Sequence, residues 1–307
     1  MGRRQSLLSR MKPFWQLYVL LILPMAYLIT FKYVPMLGAQ IAFRKFTATG
    51  GIWGSPWVGF AYFRKFFSSY QFSRVIGNTL RISIYNLAAG FPLPILVALC
   101  LHAMESARYR KIVQTITYVP YFISVVVLVG MVMQLFNPLM GLFATAYRVL
   151  FHTTAPNLLG SPGAFPHLFV WSGVWQYAGW NSIIYVAVLS SVDQQLHEAA
   201  QLDGANRRQR MAHIDLPAIL PTAAILLILN TGRIMDVGFE KTYLMQNSLN
   251  LRASEVISTY VYKVGLGTGG GDFSYATAIG LFNSLVNLTL LVTVNAVSKR
   301  LGASSLW

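Results

Sequence analysis

The 307 residues are 55% hydrophobic and only 11% charged, where a soluble globular domain carries about 25% charged residues. That deficit excludes an ordinary soluble domain and makes lipid the main solvent. The net charge of +15 would point a soluble chain to nucleic acid, but no recognition motif accompanies it, and the single cysteine, Cys100, excludes an intrachain disulfide or a cysteine-rich metal site.

Six apolar segments follow one another, at about 14–37, 79–104, 113–136, 166–192, 218–239 and 275–297. Each is close to the roughly 20 residues that cross a bilayer core as a helix. The fold class is therefore all-α, a polytopic membrane helix bundle, expected as a single domain over 1–307. The first segment is longer than a signal-peptide core and no small-residue cleavage site follows it, so it is expected to stay as a signal anchor. Residues 38–77 are basic and aromatic, with Arg44, Lys45, Arg64, Lys65 and Arg74. Their run from Trp57 to Phe67 reads as an amphipathic helix at the outer headgroup level. Prolines inside the spans (Pro24, Pro92, Pro94 and Pro120) favour a packed bundle, because neighbouring helices can satisfy the freed backbone groups.

Short-loop charge sets the orientation. Arg3, Arg4, Arg10 and Lys12 precede the first span; Arg108, Arg110 and Lys111 follow the second; Arg207, Arg208 and Arg210 follow the fourth; Lys299 and Arg300 follow the sixth. With six spans all four groups share one side, which the positive-inside rule makes the cytoplasm, together with both termini.

The polar insert 193–217 lies between the fourth and fifth spans. Asp193 is placed to cap a short helix through Leu202, Gly204 to turn it, and residues from Asn206 to Asp215 to form a second helix before Pro217. Glu198-Ala199-Ala200, three residues, Gly204, nine residues, then Ile214-x-Leu216-Pro217 resembles, without a gap, the EAA loop of ATP-binding-cassette importer permeases. The resemblance implies that this loop is a coupling helix seated in an ATPase subunit, with Glu198 and Gly204 carrying the contact and Ala199, Ala200 and Asp203 near it. Further stretches, such as RKIVQTITYVPYFIS, GWNSIIYVAVLSSVD and the terminal KRLGASSLW, look like polysaccharide-type permeases of the binding-protein-dependent class, similar in fold to the maltose transporter permeases. The resemblance implies half of a permease heterodimer in the bacterial inner membrane. Its partners would be a second permease, two cytoplasmic ATP-binding subunits that hold ATP and Mg, and an extracytoplasmic substrate-binding protein. The chain itself would be no enzyme and carry no cofactor.

Polar residues inside spans face cavities or other helices. The candidates for the substrate path are Arg81, Asn86, Gln134, Trp175, Gln176, Asn181, Tyr185, Asn230, Arg233, Asp236, Asn283 and Asn287. Arg233 and Asp236 stand three apart and are expected to pair along one helix face, either to hold the structure or to tune the substrate. Arg81 and Arg233 suit an anionic sugar polymer, and an alginate-type importer is the case they suggest. Three other patterns fail. Gly265, Gly267 and Gly270 match a dinucleotide fingerprint outside any βαβ unit; His197-Glu198 begins a zincin motif, but Gln201 stands where a second His is needed; the remaining histidines are scattered and suggest no metal site. A stand-alone secondary transporter or channel is the alternative, but the internal repeats that usually mark one are not found.

Overall fold

The computed structural model describes residues 14–267 and 271–300. The amino-terminal cations Arg3, Arg4, Arg10 and Lys12, Gly270, and the run after Arg300 lie outside the described residues. The described backbone is all-α, as expected; its one β feature is an isolated bridge between Arg44 and Trp57. The described residues form two compact units, 14–67 with 264–267 and 271–281, and 68–263 with 282–300.

In the first unit, α1 (Trp15–Leu28) continues through a π-turn (Ile29–Tyr33), a short α-turn and a 3-10 stretch (Leu37–Phe43). None of its residues is buried. An apolar helix exposed all round requires lipid or a partner as its solvent. The basic segment that follows departs from the expected amphipathic helix. It is two short helices, Gly51–Gly54 and α2 (Ala61–Phe67), joined by loop. Its cations have protein partners: Arg44 donates to the carbonyls of Trp53 and Ser55 at 2.8 and 2.9 Å, and Lys65 pairs with Asp272 at 3.0 Å.

The second unit begins with α3 (Tyr70–Gly90), capped by the Ser69 hydroxyl, which accepts from the Phe72 amide at 3.2 Å. It runs into α4 (Pro92–His102), so the second span starts at Tyr70 and not near 79. Pro92 occupies the first turn of α4, where its missing N–H is not needed. Near the start of α3, Arg74 pairs with Glu255, whose carboxylate also meets Lys263 at 3.0 Å.

The expected single third span is broken. Helix α5 (Ala107–Tyr118) ends in a 3-10 turn over Pro120, and α6 (Val125–Leu135) restarts behind Ser124, whose hydroxyl accepts from Val127 at 3.3 Å. The two pieces are bent by 99°. After α7 (Leu142–Phe151), the 25-residue α8 (Phe165–Leu189) is the hub of the unit and packs on α3, α4 and α5. Two apolar layers lie along it. One joins Ile82, Val132, Phe169 and Val174; the other joins Ala98, Leu99, Tyr185, Leu189 and Ile219. Gln176 of α8 is 1% exposed and donates to the Ile123 carbonyl at 2.7 Å, so it satisfies a backbone group freed by the break. Trp180 stacks on Tyr121 at 4.1 Å beside it.

The elbow helix α9 (Gln194–Leu202) leads to α10 (Leu216–Thr231). The expected fifth span to residue 239 therefore stops at Thr231, where Gly232 to Met235 form turns. Then follow α11 (Phe239–Met245), α12 (Ile257–Leu266) and α13 (Phe273–Arg300). Among the described residues, four helices are long and apolar enough to cross a membrane, Trp15–Phe43, Tyr70–His102, Arg207–Thr231 and Phe273–Arg300, and the bent pair makes a fifth if its two pieces are one span. Helix α8 has the length of a span but not the apolarity, because Gln176, Ser182 and other polar groups turn inward to protein.

Candidate transport cavity and elbow

A cavity of about 400 Å³ opens between α3, α4, α8, α10 and the turn after α10. Its polar lining comes from Ser83, Asn86, Tyr177, Asn181, Asn230, Arg233 and Asp236, and its apolar lining includes Phe91, Val174, Ile184 and Leu226. Such a mix of apolar wall and a few convergent polar groups is the usual form of a small-molecule site. Among the sequence candidates, Asn86, Asn181, Tyr185, Asn230, Arg233 and Asp236 line it.

The other six do not. Arg81, Gln134 and Trp175 are exposed away from the cavity, and Gln176 serves the broken span. Asn287 accepts from the Met235 amide at 3.0 Å and Asn283 donates to the Asp236 carboxylate at 3.1 Å, so both hold the turn that carries Arg233 and Asp236. The expected side-chain pairing of Arg233 with Asp236 is not formed. The helix has already ended, and the two residues share a backbone turn bond, Asp236 N–H to Arg233 O, at 2.9 Å.

Ser83, Gly173 and Tyr177 were missed. Gly173, Tyr177 and Asn181 follow one another at a spacing of one helical turn on α8, so the periodicity of the face was the signal available. Gly173 also lets a charge approach. A Cβ there would lie 3.0 Å from the ammonium of Lys241. Lys241 is buried, donates to the Phe169 carbonyl at 2.8 Å and lies 4.7 Å from the centre of the Phe169 ring. Burial pushes its pKa from 10.5 down to about 8.

The elbow is built as its residues dictate. Asp193 accepts from the Gln195 amide at 2.9 Å and starts α9. Gly204 turns the chain at φ +81°, a conformation that side-chain-bearing residues rarely adopt. Asn206 and Gln209 form a reciprocal capping box at the next helical turn, Arg207–Arg210, which runs through a π-turn (Met211–Asp215) into α10. Glu198, Ala199, Asp203 and Gly204 are exposed, Ala200 is partly buried, and Leu202 is 90% exposed. Arg207 is ion-paired to Glu105 in the loop after α4. The histidines are not all scattered: His102 and His197 converge on Asp215.

Residues 90–303, which hold most of this cavity and the whole elbow, match the family described as binding-protein-dependent transport system inner membrane component. The chain belongs to this permease family. The permease is 38% identical over 308 residues to the protein LplB of Bacillus subtilis (strain 168), covering 100% of this chain and 95% of the relative. It is 39% identical over 305 residues to the polygalacturonan/rhamnogalacturonan transport system permease protein YteP of the same organism, covering 99% and 94%. Among solved structures, it is similar to a chain of a bacterial ABC transporter involved in the import of the acidic polysaccharide alginate, with a TM-score of 0.87, 38% identity and coverage of 96% and 98%. It is equally similar to a chain of a bacterial alginate ABC transporter in complex with an alginate pentasaccharide-bound periplasmic protein, with a TM-score of 0.89, 37% identity and coverage of 98% and 99%. A permease of a binding-protein-dependent system is not the stand-alone carrier or channel of the alternative reading.

Proposed function

We propose that this chain is one permease subunit of an ABC importer for acidic oligosaccharides, and that the cavity beside α8 is its share of the translocation path. The observation that carries the reading is the cavity wall itself. Arg233 offers a cation to a sugar carboxylate, three asparagines (Asn86, Asn181 and Asn230) offer paired donors and acceptors to hydroxyls, and Tyr177 offers a ring face. The alginate named for the solved structures is described there as acidic, and the polygalacturonan named for YteP is a polymer of a sugar acid. Asp236 in the same wall opposes tight anion binding. That opposition suits a path, where a substrate must leave as readily as it arrives.

The elbow is the coupling element in this reading. It faces the cytoplasm with both termini, as the short-loop charge supports. Glu198 and Gly204 carry the contact with an ATPase subunit, Gly204 by setting the turn at positive φ, and exposed Leu202 and the small Ala199 lie beside them. ATP closure of two such subunits moves the elbow, and α8 and α10, joined by it, shift the cavity between outward- and inward-facing states. The chain does no covalent chemistry; ATP and Mg sit on the partner subunits. A second permease completes the path and an extracytoplasmic binding protein delivers the sugar.

The test is ATP-driven uptake by the fully reconstituted transporter. Oligouronates should be taken up in preference to neutral oligosaccharides of equal length, and preference for the neutral sugars would overturn the substrate assignment.

A further inference from the structure

Three side chains from separate elements meet where the elbow joins the spans. His102 ends α4, His197 lies on α9, and Asp215 ends the π-turn before α10. The Nε2 atom of His197 is 3.2 Å from Oδ1 of Asp215, and Nε2 of His102 is 3.7 Å from the same oxygen. One donor atom from each of the three lies within 4.8 Å of the others. The side chains of Asp215 and His197 are only 6% and 12% exposed.

The contact is not a finished hydrogen bond. Both Nε2 of His197 and Oδ1 of Asp215 are buried without a hydrogen-bond partner, although they lie within reach of each other. Two buried polar atoms left without hydrogen-bond partners are costly unless something lies between them. Tetrahedral zinc, with ligand bonds of about 2.0–2.1 Å, sets its donor atoms roughly 3.3 Å apart. The His197–Asp215 separation already equals that edge, and the His102–Asp215 separation exceeds it by a few tenths of an ångström. Two imidazoles and one carboxylate are also a donor set that zinc takes, with the fourth position left to water.

We propose that His102, His197 and Asp215 form a binding site for a divalent transition-metal ion, zinc in the first instance. The ion ties the coupling elbow to the ends of α4 and α10. The site clamps the hinge about which the elbow moves, so its occupancy governs how stiffly the elbow is joined to the spans. It is independent of which sugar is carried. The sequence hid it because its three ligands come together only in the folded chain, and because the His197-Glu198 pair lacks the second histidine of a helical zinc motif.

The experiment uses the assembled transporter, purified without a histidine tag and stripped with a chelator. Zinc is titrated in competition with a chromogenic chelator, and cobalt is then substituted to read its visible spectrum. The proposal expects one additional tight zinc site per copy of this chain and the intense visible bands of tetrahedral cobalt. His197→Gln and His102→Gln, on different helices, should each weaken zinc binding at least tenfold and remove the cobalt bands. Recovery of the ATPase subunit with each variant confirms its assembly, and having the two variants on separate elements keeps the test decisive if one fails to assemble. Wild-type protein that binds no more zinc than the variants would overturn the proposal and leave a histidine–aspartate ion pair.

Discussion

Gly179 of α8 meets the backbone of Thr117 so closely that a Cβ on the glycine would lie 2.0 Å from the Thr117 carbonyl oxygen. The contact brings the end of α5 against α8 just before the break in the third span. Gly179→Ala must push backbone from backbone, with no flexible side chain to give way. We expect destabilisation by about 1–3 kcal/mol, the usual cost of overpacking. The readout is a lower melting temperature of the detergent-solubilised transporter, and an unchanged one would show that the contact is loose.

Lys241 gives a pH dependence of stability. Its unfolded pKa is 10.5 and burial lowers the folded value to about 8. Between those values the unfolded chain binds more protons, so this group makes stability rise with pH across the window from about 8 to 10.5 and keeps it lowest below 8. The limiting slope is about 1.4 kcal/mol per pH unit. Lys241→Met removes the effect. The melting temperature of wild type minus that of the variant should climb between pH 7.5 and pH 9.5, whereas a flat difference would mean that the ammonium is not desolvated.

The elbow predicts a separation of assembly from transport. Gly204→Pro cannot hold the positive φ of the turn, and Glu198→Lys reverses charge on the exposed face of α9. Both variants should insert and pair with the second permease. Uptake should fall by roughly tenfold or more, as at other contact hot spots, with less ATPase subunit recovered. Normal uptake by both would remove the elbow from the coupling path.

How much of this was legible in the sequence follows from the range of each signal. The elbow was legible because its signals are local: Asp193 caps the next turn, Gly204 turns the chain, and a second short helix starts at Asn206. The break in the third span was not. Pro120 and Ser124 lie inside a continuous apolar stretch, and hydropathy reports composition, not direction. The end of the fifth span was misplaced for the same reason, since Ile234 and Met235 extend the apolar run past the turn at Gly232. At the cavity, a polar residue inside a span could be found by type alone. Whether it faces the cavity, as Asn181 does, or mends a backbone, as Gln176 does, depends on packing that the sequence does not print.

The most direct test of the central claim is the substrate selectivity of Arg233→Gln. The variant keeps a polar, hydrogen-bonding side chain, shorter than arginine, but removes its charge from the cavity wall. Uptake of oligouronate should fall by about tenfold to a hundredfold, the loss of one charge-assisted contact, while uptake of a neutral oligosaccharide stays level or rises. Arg233→Lys should restore most of the preference. If oligouronate and neutral sugar fall equally in Arg233→Gln, the arginine only supports the turn after α10, and the acidic-sugar account of the cavity is contradicted.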